Sequence, residues 1–148
     1  MIFVKVAATD AEITECLRIR HDVFVVEQRV PAHMERDEHD RAAIHFLAVE
    51  GGEAVGAARA LLKDEGASAK IGCVAVAAKH RGRGVGKMLI LAAESAREFD
   101  QSAKFLLDSQ VHAMRFYERL GYEAFGEAFL DAGIAHRHMA KMRATKRN

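Results

Sequence analysis

Residues 70–89 read KIGCVAVAAKHRGRGVGKML, and the order of features in this stretch decides the fold. Lys70 to Ala77 is an almost unbroken apolar run, as a buried central strand should be. A short loop leads into the glycine- and arginine-rich stretch Arg81 to Gly86. From Gly84 to Phe99, Val85, Met88, Leu89, Ala92 and Ala96 then keep helical spacing. The start of a helix presents unpaired N–H groups and the positive end of its dipole. Glycine removes the Cβ that would keep an anion away from those groups, and Arg81, Arg83 and Lys87 add charge that suits phosphate. The stretch therefore reads as a cradle for a phosphate or pyrophosphate; the plainer alternative is a solvated basic turn. Two familiar phosphate motifs are excluded. Gly86-Lys87 is followed by Met88 rather than Ser or Thr, and Gly82-x-Gly84-x-Gly86 lacks the spacing and the first-strand position of the dinucleotide fingerprint.

Working outward, Ile2 to Ala7 alternates as a strand, and Thr9 or Asp10 can cap a helix that fades near Val26. Glu27 to Ala43 is polar and irregular, broken by Pro31. Ile44–Glu50, Gly51-Gly52 and Ala54–Leu62 form a hairpin pattern. Downstream come a short strand at Lys104–Asp108, a helix at Val111–Leu120 ended by Gly121, and two closing strands at Tyr122–Phe129 and Ala135–Lys141. This is a mixed α/β sheet, of α+β character, whose crossover helices both fall late in the chain.

Composition sets the outer bounds. The 148 residues suit one domain spanning 1–148, with no repeat or linker-like stretch to divide it. Half the residues are apolar and the net charge is +1, which gives no bulk attraction to nucleic acid or membrane. There is no apolar run of about 18 residues and no signal-peptide layout, so the cytosol is the expected compartment, with Cys16 and Cys73 as reduced thiols. His33, His39 and His45 with Asp37 and Asp40 lack a known ligand spacing, so no metal is expected.

Arg81-x-x-Gly84-x-Gly86 after an apolar strand resembles the acyl-CoA motif of the GNAT superfamily of N-acetyltransferases. Ala113-x-x-Phe116-Tyr117-x-x-x-Gly121-Tyr122 is similar to a second element of that family, in the right order downstream. The segments Arg20–Gln28 and Glu35-x-Asp37-x-x-Asp40, with His45, and Phe129-x-x-x-Gly133-Ile134-x-His136-x-x-Met139 resemble its ElaA/YjcF-like branch. The resemblance implies a mostly antiparallel sheet splayed at the cofactor site, flanked by helices. It implies acetyl-CoA as cosubstrate and N-acetylation of an amine by direct attack in a ternary complex. Carried over by position, the backbone of Val74, Ala75 and Val76 would hold the pantetheine arm. Arg81, Gly82, Arg83, Gly84, Val85, Gly86 and Lys87 would cradle the pyrophosphate. Ala113, Phe116 and Tyr117 would line the thiol end, with Tyr117 as general acid. Dimers are common in the family, so a homodimer is among the expected assemblies.

The chemistry needs an amine without its proton, a donor for the tetrahedral oxyanion and a proton for the departing thiolate. A phenol of ordinary pKa about 10 is a donor at neutral pH. Some relatives carry a glutamate base at the start of the strand before the glycine loop; here that position is approximately Lys70. Carboxylates from the acidic segment replace it in this reading. Glu27 and Asp37 are the catalytic candidates, and Phe24, Glu27, Glu35 and Asp37 the acceptor-binding ones. The loss of the glutamate leaves a second reading open, a non-catalytic acyl-CoA-binding or sensor module. Nucleic-acid binding through the basic turn is disfavoured by the net charge and the lack of interleaved aromatics.

Overall fold

The computed structural model describes residues 1–144. The remainder of the span expected as one domain, 145–148, lies outside the described residues. Seven strands form one sheet in the order β1-β2-β3-β4-β5-β7-β6. They are β1 (Ile2–Val6), β2 (Ile44–Glu50), β3 (Glu53–Lys63), β4 (Ser68–Val76), β5 (Lys104–Gln110), β6 (Glu123–Asp131) and β7 (Ile134–Met142). Every neighbouring pair is antiparallel except β4–β5. A parallel pair needs a crossover, and helix α3 (Val85–Ser95) supplies it.

α3 packs its apolar side on one face of the sheet. Val85, Leu89, Ile90 and Ala93 join Phe46, Val55, Ile71, Phe105, Leu107, Tyr122 and Met139 in the larger core. Helix α1 (Asp10–Arg20) covers the other face with Cys16 and Ile19 against Leu47, Ala57 and Ala75. Its start is fixed by a reciprocal cap: the Glu12 N–H donates to Thr9 Oγ1, and Glu12 Oε1 accepts from the Thr9 N–H. α1 does not simply fade. It widens into a π-helical turn, His21–Glu27, that carries Val23 and Phe24 over the sheet. The segment expected to be irregular holds a short helix α2 (Ala32–Glu35) and a single 3₁₀ turn, Glu38–Arg41. Helix α4 is shorter than its periodicity suggests, covering Met114–Glu118 after a 3₁₀ turn.

The decisive irregularity is in β4. Ala57 pairs with Ala75 and Arg59 with Gly72, so β4 carries one residue more than β3 across this interval. Cys73 takes the left-handed conformation there, with φ +52°. The bulge flips the strand's parity. Before it, Ala69 and Ile71 face α3; after it, Val74 and Val76 do, and Ala75 turns to the α1 side. On its other edge β4 pairs with β5 only at Ser68–Lys104, Ala69–Phe105 and Lys70–Leu106. Beyond Lys70 no further pair joins them, and the two strands part.

Candidate active site

A cavity of about 920 Å³ opens where β4 and β5 separate. One arm runs along Val74, Val76, Arg81, Gly82, Gly84, Val85 and Gly86 and reaches Ala113, Phe116 and Tyr117, while Arg83 and Lys87 lie off its wall; the other is walled by Phe24, Gln28, Met34, Asp37 and Arg59, and by Ile134 and His136 of β7.

The first arm ends at the N-terminus of α3. Its cap is Gly84, with φ +82° and no capping side chain, and Gly82 has φ +77°. These two glycines supply left-handed backbone, which other residues adopt only with strain. A Cβ on either would meet nothing within 4 Å, so the space in front of the turn is open. An uncapped helix start behind an open, left-handed turn fits a phosphate. Gly86 is glycine for another reason: a Cβ there would lie 3.1 Å from the Phe116 ring. The motif's last glycine and the α4 aromatic are thus one packing unit. Gly56, which sequence reasoning missed, sets α3 on the sheet. Its Cβ would stand 2.8 Å from Val85 Cγ1 and 3.2 Å from the Ala75 carbonyl oxygen.

The arginines of the turn are already paired. Arg81 donates to Glu27 at 2.6 and 2.9 Å and to the Val76 carbonyl at 3.0 Å. Arg83 donates to Glu50 at 2.6 and 2.7 Å. Glu27 is therefore tied to the glycine turn, and its hydrogen bonds from Arg81 hold its pKa below the usual carboxylate range. His80, buried beside them, has no hydrogen-bond partner for Nε2.

The wall of the second arm is built on a buried charge network. Arg20 is fully buried, and donates from Nε to Glu35 Oε1 at 2.7 Å and from Nη1 to Asp40 Oδ1 at 2.7 Å. Arg59 bridges Asp40 Oδ1 at 2.8 Å and grips both oxygens of Asp37, at 2.7 and 2.9 Å. Burial alone would raise the pKa of Asp40, but the bonds from Arg20 and Arg59 outweigh it and hold it at about 2. The Arg59 bonds lower Asp37 as well. Glu35 lines the cavity, yet its carboxylate is committed to Arg20. Arg20 entered the sequence reading only as the start of a family-like segment, without a role, and Arg59 not at all; together they hold Glu35, Asp37 and Asp40 in place.

Lys70 lies beside Asp108 of β5, its Nζ 3.0 Å from Asp108 Oδ2. Asp108 Oδ1 is 2.6 Å from His138 Nδ1. Across the cavity Gln28 accepts from Gln110 Nε2 at 2.7 Å, and Gln110 Oε1 accepts from His112 Nε2 at 2.6 Å. Tyr117 lines the cavity edge-on to Phe116, and desolvation pushes its phenol up to about 12. Burial likewise raises the Cys73 thiol, so it stays protonated at neutral pH. Among the described residues no group of three or more His, Cys, Asp or Glu side chains is gathered as a metal site. His45 instead donates from Nε2 to the Asp40 carbonyl at 2.9 Å. No helix among them is long and apolar enough to cross a membrane.

A bulged β4, parted from its parallel neighbour beside an uncapped glycine-led helix, defines an acyl-CoA-dependent acyltransferase fold. The chain belongs to the GNAT acetyltransferase family, whose acetyltransferase (GNAT) domain matches residues 6–143. It is 36% identical over 137 residues to the uncharacterized N-acetyltransferase YjcF of Bacillus subtilis, covering 92% of this chain and 96% of that one. It is 30% identical over 134 residues to the protein ElaA of Escherichia coli, covering 88% of each chain. The crystal structure of Escherichia coli ElaA superposes with a TM-score of 0.83 at 28% identity, over 95% of this chain and 99% of that chain. An acyl-CoA N-acyltransferase from Pseudomonas aeruginosa gives 0.81 at 28% identity, over 95% and 98% of the respective chains.

Proposed function

We propose that this protein transfers the acetyl group of acetyl-CoA to a primary amine, by direct attack within a ternary complex. The observation that carries the reading is the meeting of three features in one cavity: the parted β4 edge, the open turn at the start of α3, and Tyr117. Amides at Arg83 to Lys87 receive the diphosphate, and Arg81 and Gly82 extend the turn. The freed edge at Val74, Ala75 and Val76 hydrogen-bonds the pantetheine arm as an added strand would. Ala113 and Phe116 close the thiol end. Tyr117, its pKa pushed up to about 12, keeps its proton at neutral pH and gives it to the departing thiolate. Phe24, Glu35 and Asp37 form the acceptor wall, whereas Glu27, expected there from the sequence, is held by Arg81 beside the glycine turn and does not line the cavity. Glu27 and Asp37 are gripped by arginines and held below the usual carboxylate range, which makes both poor proton acceptors and leaves Asp37 an anion that attracts a cationic amine.

The test is a panel of amines incubated with acetyl-CoA, read by thiol release and by the product mass. An adduct 42 Da heavier than the amine, on the order of one acetyl group added per thiol released, supports transfer. CoA binding without thiol release from any amine would favour the sensor-module reading.

A further inference from the structure

With Glu35, Asp37 and Asp108 of the cavity committed to cations, the proton acceptor is sought elsewhere, and β7 offers one. His136 lines the cavity, and its Nδ1 lies 2.7 Å from the carbonyl oxygen of Ile134. A carbonyl can only accept, so Nδ1 carries the hydrogen. In the neutral ring Nε2 then holds the lone pair. The ring plane is fixed as well. Phe129 stacks on His136 at 5.7 Å and on His138 at 4.4 Å, and Phe125 stacks on His138 at 5.6 Å. A bulge in β6 makes this ladder. Phe125 pairs with His138 and Phe129 with His136, so four residues of β6 span two of β7, and both phenyl rings reach the histidine face. On its other side His136 pairs with Gln110 of β5, whose amide is held by Gln28. A histidine with one nitrogen tied to a carbonyl, its ring clamped, and the other nitrogen bare is oriented to take a proton.

We infer that His136 is the general base of this site, accepting through Nε2 the proton of a cationic primary amine. The inference rests on the transferase reading above. The amine enters as R–NH₃⁺ and one proton passes to Nε2. The freed nitrogen pair attacks the acyl carbon, the C–S bond breaks, and the sulfur takes the Tyr117 proton. The proton left on the new amide nitrogen returns to the phenolate. His136 then releases its proton to solvent, so one ammonium ion and one thioester give one amide, one thiol and one proton. Asp131 on β6, His39, His80 and His112 also line the cavity. His80 Nδ1 lies 3.4 Å from Arg83 Nη1, which can only donate, so in the neutral ring the hydrogen sits on Nε2 and leaves no lone pair there. His112 already uses Nε2 in its bond to Gln110, and neither it nor His39 is among the stacked rings.

The deciding experiment compares wild type, His136→Gln, His112→Gln and Asp131→Asn with propylamine and 2,2,2-trifluoroethylamine. These are amines of similar size, and near neutral pH the first is protonated and the second largely is not. His136→Gln should lose about 10²-fold or more in kcat with propylamine and no more than a few-fold with trifluoroethylamine, with KM for acetyl-CoA unchanged. Each variant's thermal midpoint and CoA affinity are measured first, so that a loss on both amines in a folded variant is read as chemistry. Nitrogen-15 NMR of the imidazole provides a second readout, in which neutral His136 should carry its hydrogen on Nδ1. Equal losses on both amines, the selective loss in His112→Gln or Asp131→Asn instead, or a hydrogen on Nε2 would overturn the assignment. Wild type that turns over neither these nor any other amine would overturn the transferase reading itself, and the base role with it.

Discussion

Replacing Arg20 with Met removes the buried cation at the centre of the charge network that walls one arm of the cavity. Arg20 is 0% exposed and donates four hydrogen bonds, two to the side chain and carbonyl of Glu35 and two to Asp40. Asp40 would keep Arg59 as a partner, but the Glu35 side chain is 4% exposed and has no other cation. Stranding a buried carboxylate in this way costs about 3–5 kcal/mol. In a protein of this size that lowers Tm by about 10 °C. Urea unfolding measures it directly as a fall in the midpoint at constant slope. The double variant Arg20→Met, Glu35→Gln removes the stranded charge and should recover more than half of the loss. A single-variant loss under about 1 kcal/mol, or no recovery in the double variant, would refute the reasoning. The network also sets a pH dependence. The Asp40 pKa is depressed from its ordinary 3.8 to about 2, so its contribution is complete above the unfolded value. It is lost as pH falls toward about 2, and the loss should be smaller in Arg20→Met.

Two further outcomes follow from the geometry. Tyr117→Phe should lower kcat with a responsive amine by about 10²-fold while KM for acetyl-CoA changes by less than about threefold; equal turnover would remove Tyr117 from the acid role. Gly56→Ala should cost about 1–3 kcal/mol in thermal unfolding, because its Cβ would stand 2.8 Å from Val85 Cγ1, and should weaken CoA binding by shifting the first turn of α3; an unchanged Tm would show that α3 yields freely.

Much of this molecule can be read before any coordinates. The run from Lys70 to Phe99 announces strand, turn and helix because apolar spacing and glycines are local signals, and the start of α1 was legible to within Thr9 or Asp10, with the structure placing the cap on Thr9 and its partner on Glu12. The bulge at Cys73 is not legible, since a cysteine at φ +52° breaks the residue preference for that conformation and the apolar run conceals the change of parity. Nothing local in the sequence marks Arg20 or Arg59 as buried. Only the return of residues 35–40 over the end of α1 buries one and half-buries the other. Gly56 carries no turn signal, because its reason is a helix arriving from thirty residues downstream. The histidines of β7 look like alternating polar residues until the β6 bulge brings two phenylalanines onto their face.

The central claim is that the diphosphate of CoA sits on the amides of the α3 turn and its pantetheine arm lies along the freed edge of β4. Titrating nitrogen-15-labelled protein with CoA and following backbone amide shifts tests it directly. The largest shifts should fall on residues 82–87 and 72–76, with smaller ones at Phe116 and Tyr117. Saturable binding whose shifts leave both segments unmoved and gather elsewhere would contradict the account.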